Sequence, residues 1–255
     1  MTLGLPLSTM FAFLLVLARV GGLVAFLPIP GFRAAPDRIR VLLTLAMTLA
    51  LFPAWPALPD TLPSAGELTA WALAEAGFGL VAGLAVAFLT EGFQIAAQTL
   101  GLQAGYGYAS TIDPTSQADA GVLQVVTTLI SGLLFFTLGV DRELIRVLAA
   151  SFDKFPAGSW APTIANLDGI LRLGGGMFTM GLRLAMPVIA LLLLIDLALA
   201  LLGRMQQQLQ LLSLAFPAKT LAALAILAAL APVMARIFEG AAGRTIGALW
   251  RGIGL

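Results

Sequence analysis

About six apolar stretches, each near the length needed to cross a bilayer, follow one another along this chain and constrain its fold more than any other feature. A hydrocarbon core roughly 30 Å thick is crossed by about 20 helical residues at about 1.5 Å each. In lipid the backbone amides and carbonyls must bond within the segment, which an open sheet edge cannot do and a helix does. Composition agrees: 60% of the 255 residues are hydrophobic and 11% charged, where soluble domains carry roughly a quarter charged residues. The expectation is an all-α, multi-helix integral membrane-complex protein with about six apolar spans, a central irregular loop and a C-terminal helical hairpin.

The first span runs from about Met10 to Pro28 and carries Arg19 near its centre. No basic residue precedes it and no convincing small-residue cleavage site follows, so it reads as a span and not as a cleaved signal. Pro28, Pro30 and Gly31 end it, since proline lacks the amide donor and restricts the residue before it. A basic loop of Arg33, Arg38 and Arg40 leads to the second span, Val41 to about Leu58, which closes in Pro53, Pro56, Pro59 and Pro63. The third span, Leu68 to Leu89, contains Glu75 and continues through TEGFQIAAQT, with Glu91, to the central loop. Ala72, Ala76, Gly79 and Gly83 fall on one helical face, and the pair Gly79 and Gly83 forms a GxxxG element that lets a neighbouring helix approach.

Val122 to Val140 is an uncharged fourth span, followed by DRELIRVLAASFDKF. There Leu144, Ile145, Leu148, Ala149 and Phe152 share one side at helical spacing, which reads as an amphipathic helix lying on lipid or on a partner protein. After a turn between Pro156 and Pro162, the triplet Gly174 to Gly176 leads into a fifth span with Arg183, Pro187 and Asp196. The amide-rich turn RMQQQLQLLS joins it to a sixth, about Leu214 to Met234, with Pro217 and Lys219 near its start, so these two spans form a hairpin. The tail after Glu239 is short, glycine-containing and mildly basic.

Charge and residue usage exclude several functions. A net charge of +1 with no dense Lys/Arg run provides no field for nucleic acid. The absence of cysteine and histidine removes disulfides, thiolate chemistry, sulfur-ligated metals and the commonest general base and metal ligand. No cofactor site is expected. No GxxxxGK[ST], GxGD or HExxH pattern occurs, which argues against nucleotide chemistry and a membrane enzyme.

Between the third and fourth spans lies Gly101 to Gly121, GLQAGYGYASTIDPTSQADAG, rich in glycine, hydroxyls and amides, free of lysine and arginine, and home to both tyrosines of the chain. By composition it is either an exposed connector or a functional insert. The charges within spans, Arg19, Glu75, Glu91, Arg183 and Asp196, need partners or water, because a charge at a bilayer centre costs about 2.5–3.5 kcal/mol on insertion scales. Interhelical ion pairs would satisfy them. A secondary transporter using Arg19, Glu91, Arg183 and Asp196 as an ion or proton path is the rival reading. If six spans alternate, Arg33, Arg38, Arg40, Arg204 and Lys219 fall on one side and Arg142, Arg146, Lys154, Arg172, Arg236, Arg244 and Arg251 on the other. Five against seven gives no clear positive-inside excess, so a span is miscounted or the helices do not simply alternate.

The run GLQAGYGYASTIDPTSQADAGVLQ resembles the loop of the FliR family, the flagellar and type III secretion export-gate proteins. The resemblance extends through ARVGGLVAFLPIPGF and PDRIRVLLTLAMTLALFP near the N-terminus and through MPVIALLLLIDLALALLGRMQQQLQLLSLAFPAK towards the C-terminus. Asp141 and Arg142 depart from the Gly-His or similar pair expected there, so no histidine role carries over. The resemblance implies a non-enzymatic subunit that assembles with P-type and Q-type partners and a B-type switch protein in the bacterial inner membrane, at the base of a flagellum or injectisome, and conducts unfolded proteins. Residues 1–165 would resemble a P subunit and 166–255 a Q subunit. It also implies that Gly101 to Gly121 helps close the channel, through Gly105, Tyr106, Gly107, Tyr108, Ala109, Ser110, Thr111, Ile112, Asp113 and Pro114.

Overall fold

The computed structural model describes residues 6–29, 36–58, 64–105, 122–205 and 211–253. Within them lie seven α-helices: α1 Leu7–Phe26, α2 Asp37–Ala50, α3 Ala65–Ala104, α4 Val122–Thr137, α5 Val140–Lys154, α6 Ile164–Met205 and α7 Leu211–Ile253. The starts and stops follow local chemistry. Pro6 precedes α1, and Leu27 leaves the helix in extended conformation immediately before Pro28, as the proline ring requires of its predecessor. Pro36 precedes α2, whose first turn carries Asp37, a favourable sign at the positive end of a helix. Ser64 and Glu67 cap α3 reciprocally: the Ser64 amide donates to Glu67 Oε2 at 2.8 Å and the Glu67 amide donates to Ser64 Oγ at 3.3 Å. Thr163 and Asn166 do the same for α6, at 3.1 and 3.2 Å.

Among the described residues four helices are long and apolar enough to cross a membrane: α1, α3, Asn166–Arg204 of α6 and Pro217–Gly252 of α7. The helices α4 and α5, separated by a break that bends the chain by 58°, form a fifth candidate if taken as one span. The bend falls at Gly139, whose φ of 69° suits a residue without Cβ. The second apolar stretch forms α2, whose 14 residues reach only about 21 Å, short of a bilayer core. A strict alternation of six spans is therefore not what these helix lengths provide. Two other boundaries also differ from the sequence reading. Gly174 to Gly176 lie inside the 42-residue α6 and not ahead of it, and the tail after Glu239 continues as helix to Ile253. In both places the rest of a long helix outweighs the weak helical preference of glycine, about 1 kcal/mol per residue.

The chain divides into two compact units. The first comprises Met1–Phe88, Phe135–Gly174 and Ala242–Leu255. Here α1 packs on the first half of α3 through glycine: a Cβ at Gly79 would run into the Arg19 carbonyl oxygen, and one at Gly83 would lie 2.6 Å from that of Leu23. Leu15, Val16, Val20 and Leu23 of α1 are buried. α2 also packs on α1 and runs antiparallel to it, with Gly21 beside Thr44 and the tilted rings of Phe13 and Trp55 5.6 Å apart. The apolar face of α5 is covered by this unit: Val140, Leu144, Val147, Leu148, Ser151 and Phe152 are buried, while Ile145 is exposed. The face is thus rotated from the one that periodicity picked out, with Ser151 turned inward to a hydrogen-bond partner described below.

The second unit comprises Leu89–Leu134 and Gly175–Ala241. The later half of α3 forms its centre, with Phe93, Ala96, Ala97 and Leu100 buried and Phe93 set 5.5 Å from Phe238 of α7. A Cβ at Gly181 of α6 would come within 3.0 Å of the Gly92 carbonyl oxygen, so these helices touch backbone to backbone. Of the most apolar windows in α6 and α7 only 22% and 17% is buried, against 44% and 50% in α1 and α3. The two C-terminal helices therefore keep broad apolar faces for lipid or another subunit.

Candidate functional site

Three of the charges that the sequence places within spans, Arg19, Glu75 and Asp196, fall into two clusters, each inside one unit. In the first unit, Arg19 on α1 is fully buried and Glu75 on α3 is 1% exposed. The Arg19 Nε donates to Glu75 Oε2, Nη1 donates to Ser151 Oγ of α5 at 2.7 Å, and Nη2 donates to the Phe155 carbonyl at 3.2 Å. The remaining carboxylate oxygen, Glu75 Oε1, accepts from the Gly158 amide at 3.0 Å. Phe78 and Phe152 place their rings 4.8 and 4.2 Å from the guanidinium carbon, adding cation–π attraction in a desolvated setting. Gly158 has a φ of 75°, and a Cβ there would run into the Trp71 indole. One arginine thus joins α1, α3, α5 and the 155–160 connector. Both Glu75 oxygens are engaged, so the cluster ties the helices of this unit together.

In the second unit, Asp196 of α6 pairs with Lys219 of α7, at 2.8 Å through Oδ1 and 3.0 Å through Oδ2. Gln103, in the last turn of α3, directs Nε2 to Asp196 Oδ2 at 3.4 Å. Contacts climb together along α3 and α6, from Gly92 with Gly181 to Gln103 with Asp196, so these helices run parallel. The α7 contacts descend from Phe238 beside Phe93 to Lys219 beside Asp196, which makes α6 and α7 an antiparallel hairpin.

Glu91 lies half-buried on α3, and Arg183 is exposed on α6 with no ion pair among the described residues. The four residues of the rival ion path are therefore divided: Arg19 belongs to the first unit and Glu91, Arg183 and Asp196 to the second, while Arg19 and Asp196 each have their own counter-charge. Gly105 ends α3 with φ 86°, its amide donating to the Leu102 carbonyl at 3.2 Å. Tyr106, Gly107, Tyr108, Ala109, Ser110, Thr111, Ile112, Asp113 and Pro114 lie outside the described residues. Among the described residues no group of three or more His, Cys, Asp or Glu could hold a metal ion.

Sequence reading missed five partners: Ser151, Phe155, Gly158, Gln103 and Lys219. One of them was recoverable. Asp196 and Lys219 flank the amide-rich turn at similar distances, so a hairpin folded there brings them near each other. The Arg19 partners lie 56 to 136 positions away along the chain, with no spacing rule to find them.

Comparison with known proteins covers nearly the whole chain. Residues 10–245 match the family described as Bacterial export proteins, family 1. The flagellar biosynthetic protein FliR of Escherichia coli K12 is 31% identical over 224 residues, covering 88% of this chain and 85% of that protein. FliR of Pectobacterium carotovorum is 31% identical over 201 residues, 78% of this chain and 76% of the relative. FliR of Aquifex aeolicus is 29% identical over 208 residues, 80% of each. A chain of apolar helices matching this family from its first span to its last helix belongs to the bacterial export proteins, family 1, the family of FliR.

Proposed function

We propose that this chain is a structural, non-enzymatic subunit of the flagellar protein export gate in the bacterial inner membrane. It assembles with P-type and Q-type subunits and a B-type switch protein to form a channel for unfolded proteins. Residues 1–165 take the place of a P subunit and residues 166–255 that of a Q subunit. The observation that carries this reading is the continuous family match over residues 10–245, which includes the central glycine- and tyrosine-rich stretch. The broad apolar faces left on α6 and α7 support assembly with other membrane helices.

In this reading residues 101–121 help close the channel when no substrate passes. Such a closure needs a backbone that turns tightly at Gly105 and Gly107. It also needs large rings with a polar end, which Tyr106 and Tyr108 supply, and a turn that Asp113 and Pro114 favour. Irregular backbone at membrane depth is tolerated where protein or a water-filled cavity surrounds it.

The test uses a bacterium lacking its own relative of this chain. Expression of the native chain restores flagellar protein export, and native mass spectrometry of the purified complex finds unlike small membrane subunits bound to it. Deletion of residues 106–112 raises ion leak across the membrane. A chain that purifies only with copies of itself refutes the assembly, and a deletion that changes neither leak nor export refutes the closure.

A further inference from the structure

Between Arg183 and Arg236 the α6–α7 hairpin carries little charge. Asp196 is the sole charged residue between Arg183 and Arg204, and Lys219 the sole one between Arg204 and Arg236. These two solitary charges meet, with both carboxylate oxygens facing one ammonium. Lys219 is 16% exposed and Asp196 41%, so the cation is largely withdrawn from its surroundings. Around them the helices are leucine- and alanine-rich. Such faces pack about equally well when one slides past the other by a turn, since the transfer of apolar surface has no direction. A lone polar pair in an apolar seam removes that degeneracy, because a one-turn slip would leave two unpaired charges.

We propose that Asp196 and Lys219 are positioning residues for export: their ion pair sets the register of the α6–α7 hairpin and, through Gln103, ties it to the last turn of α3. The Gln103 amide serves either polarity, since turning it over presents its carbonyl oxygen in place of its NH2. The export role rests on the function proposed above, whereas the register claim stands on the hairpin alone.

The chain has no cysteine, so an introduced pair reports by itself. Leu192 and Ala223, one turn beyond Asp196 and Lys219 from the bend, are both buried and lie level in the observed register. Leu192→Cys with Ala223→Cys should cross-link on oxidation in native membranes, and the pair offset by one turn, Leu192→Cys with Leu227→Cys, should not. In a background of Asp196→Asn or Lys219→Met, the level pair loses yield, the offset pair gains it, and export falls. Lys219→Arg keeps both register and export, and the exchanged double variant Asp196→Lys with Lys219→Asp recovers both. The proposal is overturned if the single variants leave the cross-link pattern and export unchanged. It is equally overturned if the exchanged variant accumulates in the membrane at native level without recovering register. Should the exchanged variant fail to accumulate, Lys219→Arg against Lys219→Met decides: equal loss in both overturns the proposal. A native chain that cross-links as expected yet does not restore export counts against the proposed function and not against the register.

Discussion

Replacing Glu75 with leucine leaves the Arg19 guanidinium charged and surrounded by protein, with Ser151 Oγ and the Phe155 carbonyl as its remaining acceptors. It also removes the acceptor of the Gly158 amide. Breaking a buried ion pair by deleting one partner typically costs about 3–5 kcal/mol, most of it the penalty of an uncompensated buried charge and not the strength of the bond. Glu75→Gln retains an acceptor for one of the two donors and falls at the lower end. For a chain of this size 1 kcal/mol corresponds to about 2–4 °C, so Glu75→Leu should lower the melting temperature by about 6–20 °C. The informative partner is the double variant Glu75→Leu with Arg19→Met. It removes both charges, fills much of the same volume and should recover most of the loss, because apolar replacement of a buried pair is often neutral or stabilising. Thermal unfolding of the native chain, Glu75→Leu, Arg19→Met and the double variant, purified in one detergent, closes the cycle. A Glu75→Leu variant within about 1 kcal/mol of native, or a double variant no more stable than the single one, would refute the claim that charge compensation holds this cluster together.

Two further substitutions probe the close helix approaches. Gly79→Ala places a Cβ against the Arg19 carbonyl oxygen and should destabilise by about 1–3 kcal/mol by forcing α1 and α3 apart. Gly175→Ala on α6 meets open space and should be neutral or stabilise by up to about 1 kcal/mol; thermal unfolding compares the two, and equal effects would contradict the packing. Gly158→Ala combines left-handed backbone with a clash against Trp71 and should cost at least about 1–2 kcal/mol, read by the same assay or by lower accumulation in membranes.

The membrane class, the all-helical content and several helix boundaries were legible in the sequence because they are local properties. Apolar length and proline positions act within a few residues of themselves. Pairing of the two C-terminal spans was legible for a related reason: a short turn between two long apolar runs leaves little choice of neighbour. Which charges meet was a different matter. Arg19 could have faced any carboxylate, and its choice of Glu75, with Ser151 turned inward and Ile145 outward, depends on how three helices settle against one another. Likewise a GxxxG pair states that close approach is possible, while the backbone of α1 lying over Gly79 and Gly83 names the helix that makes it. The sequence by itself determined what each segment can be, through hydropathy and chain stiffness. The tertiary structure alone decided which segments share a buried charge, because desolvation penalises every unpaired ion alike and carries no information about where along the chain its partner lies.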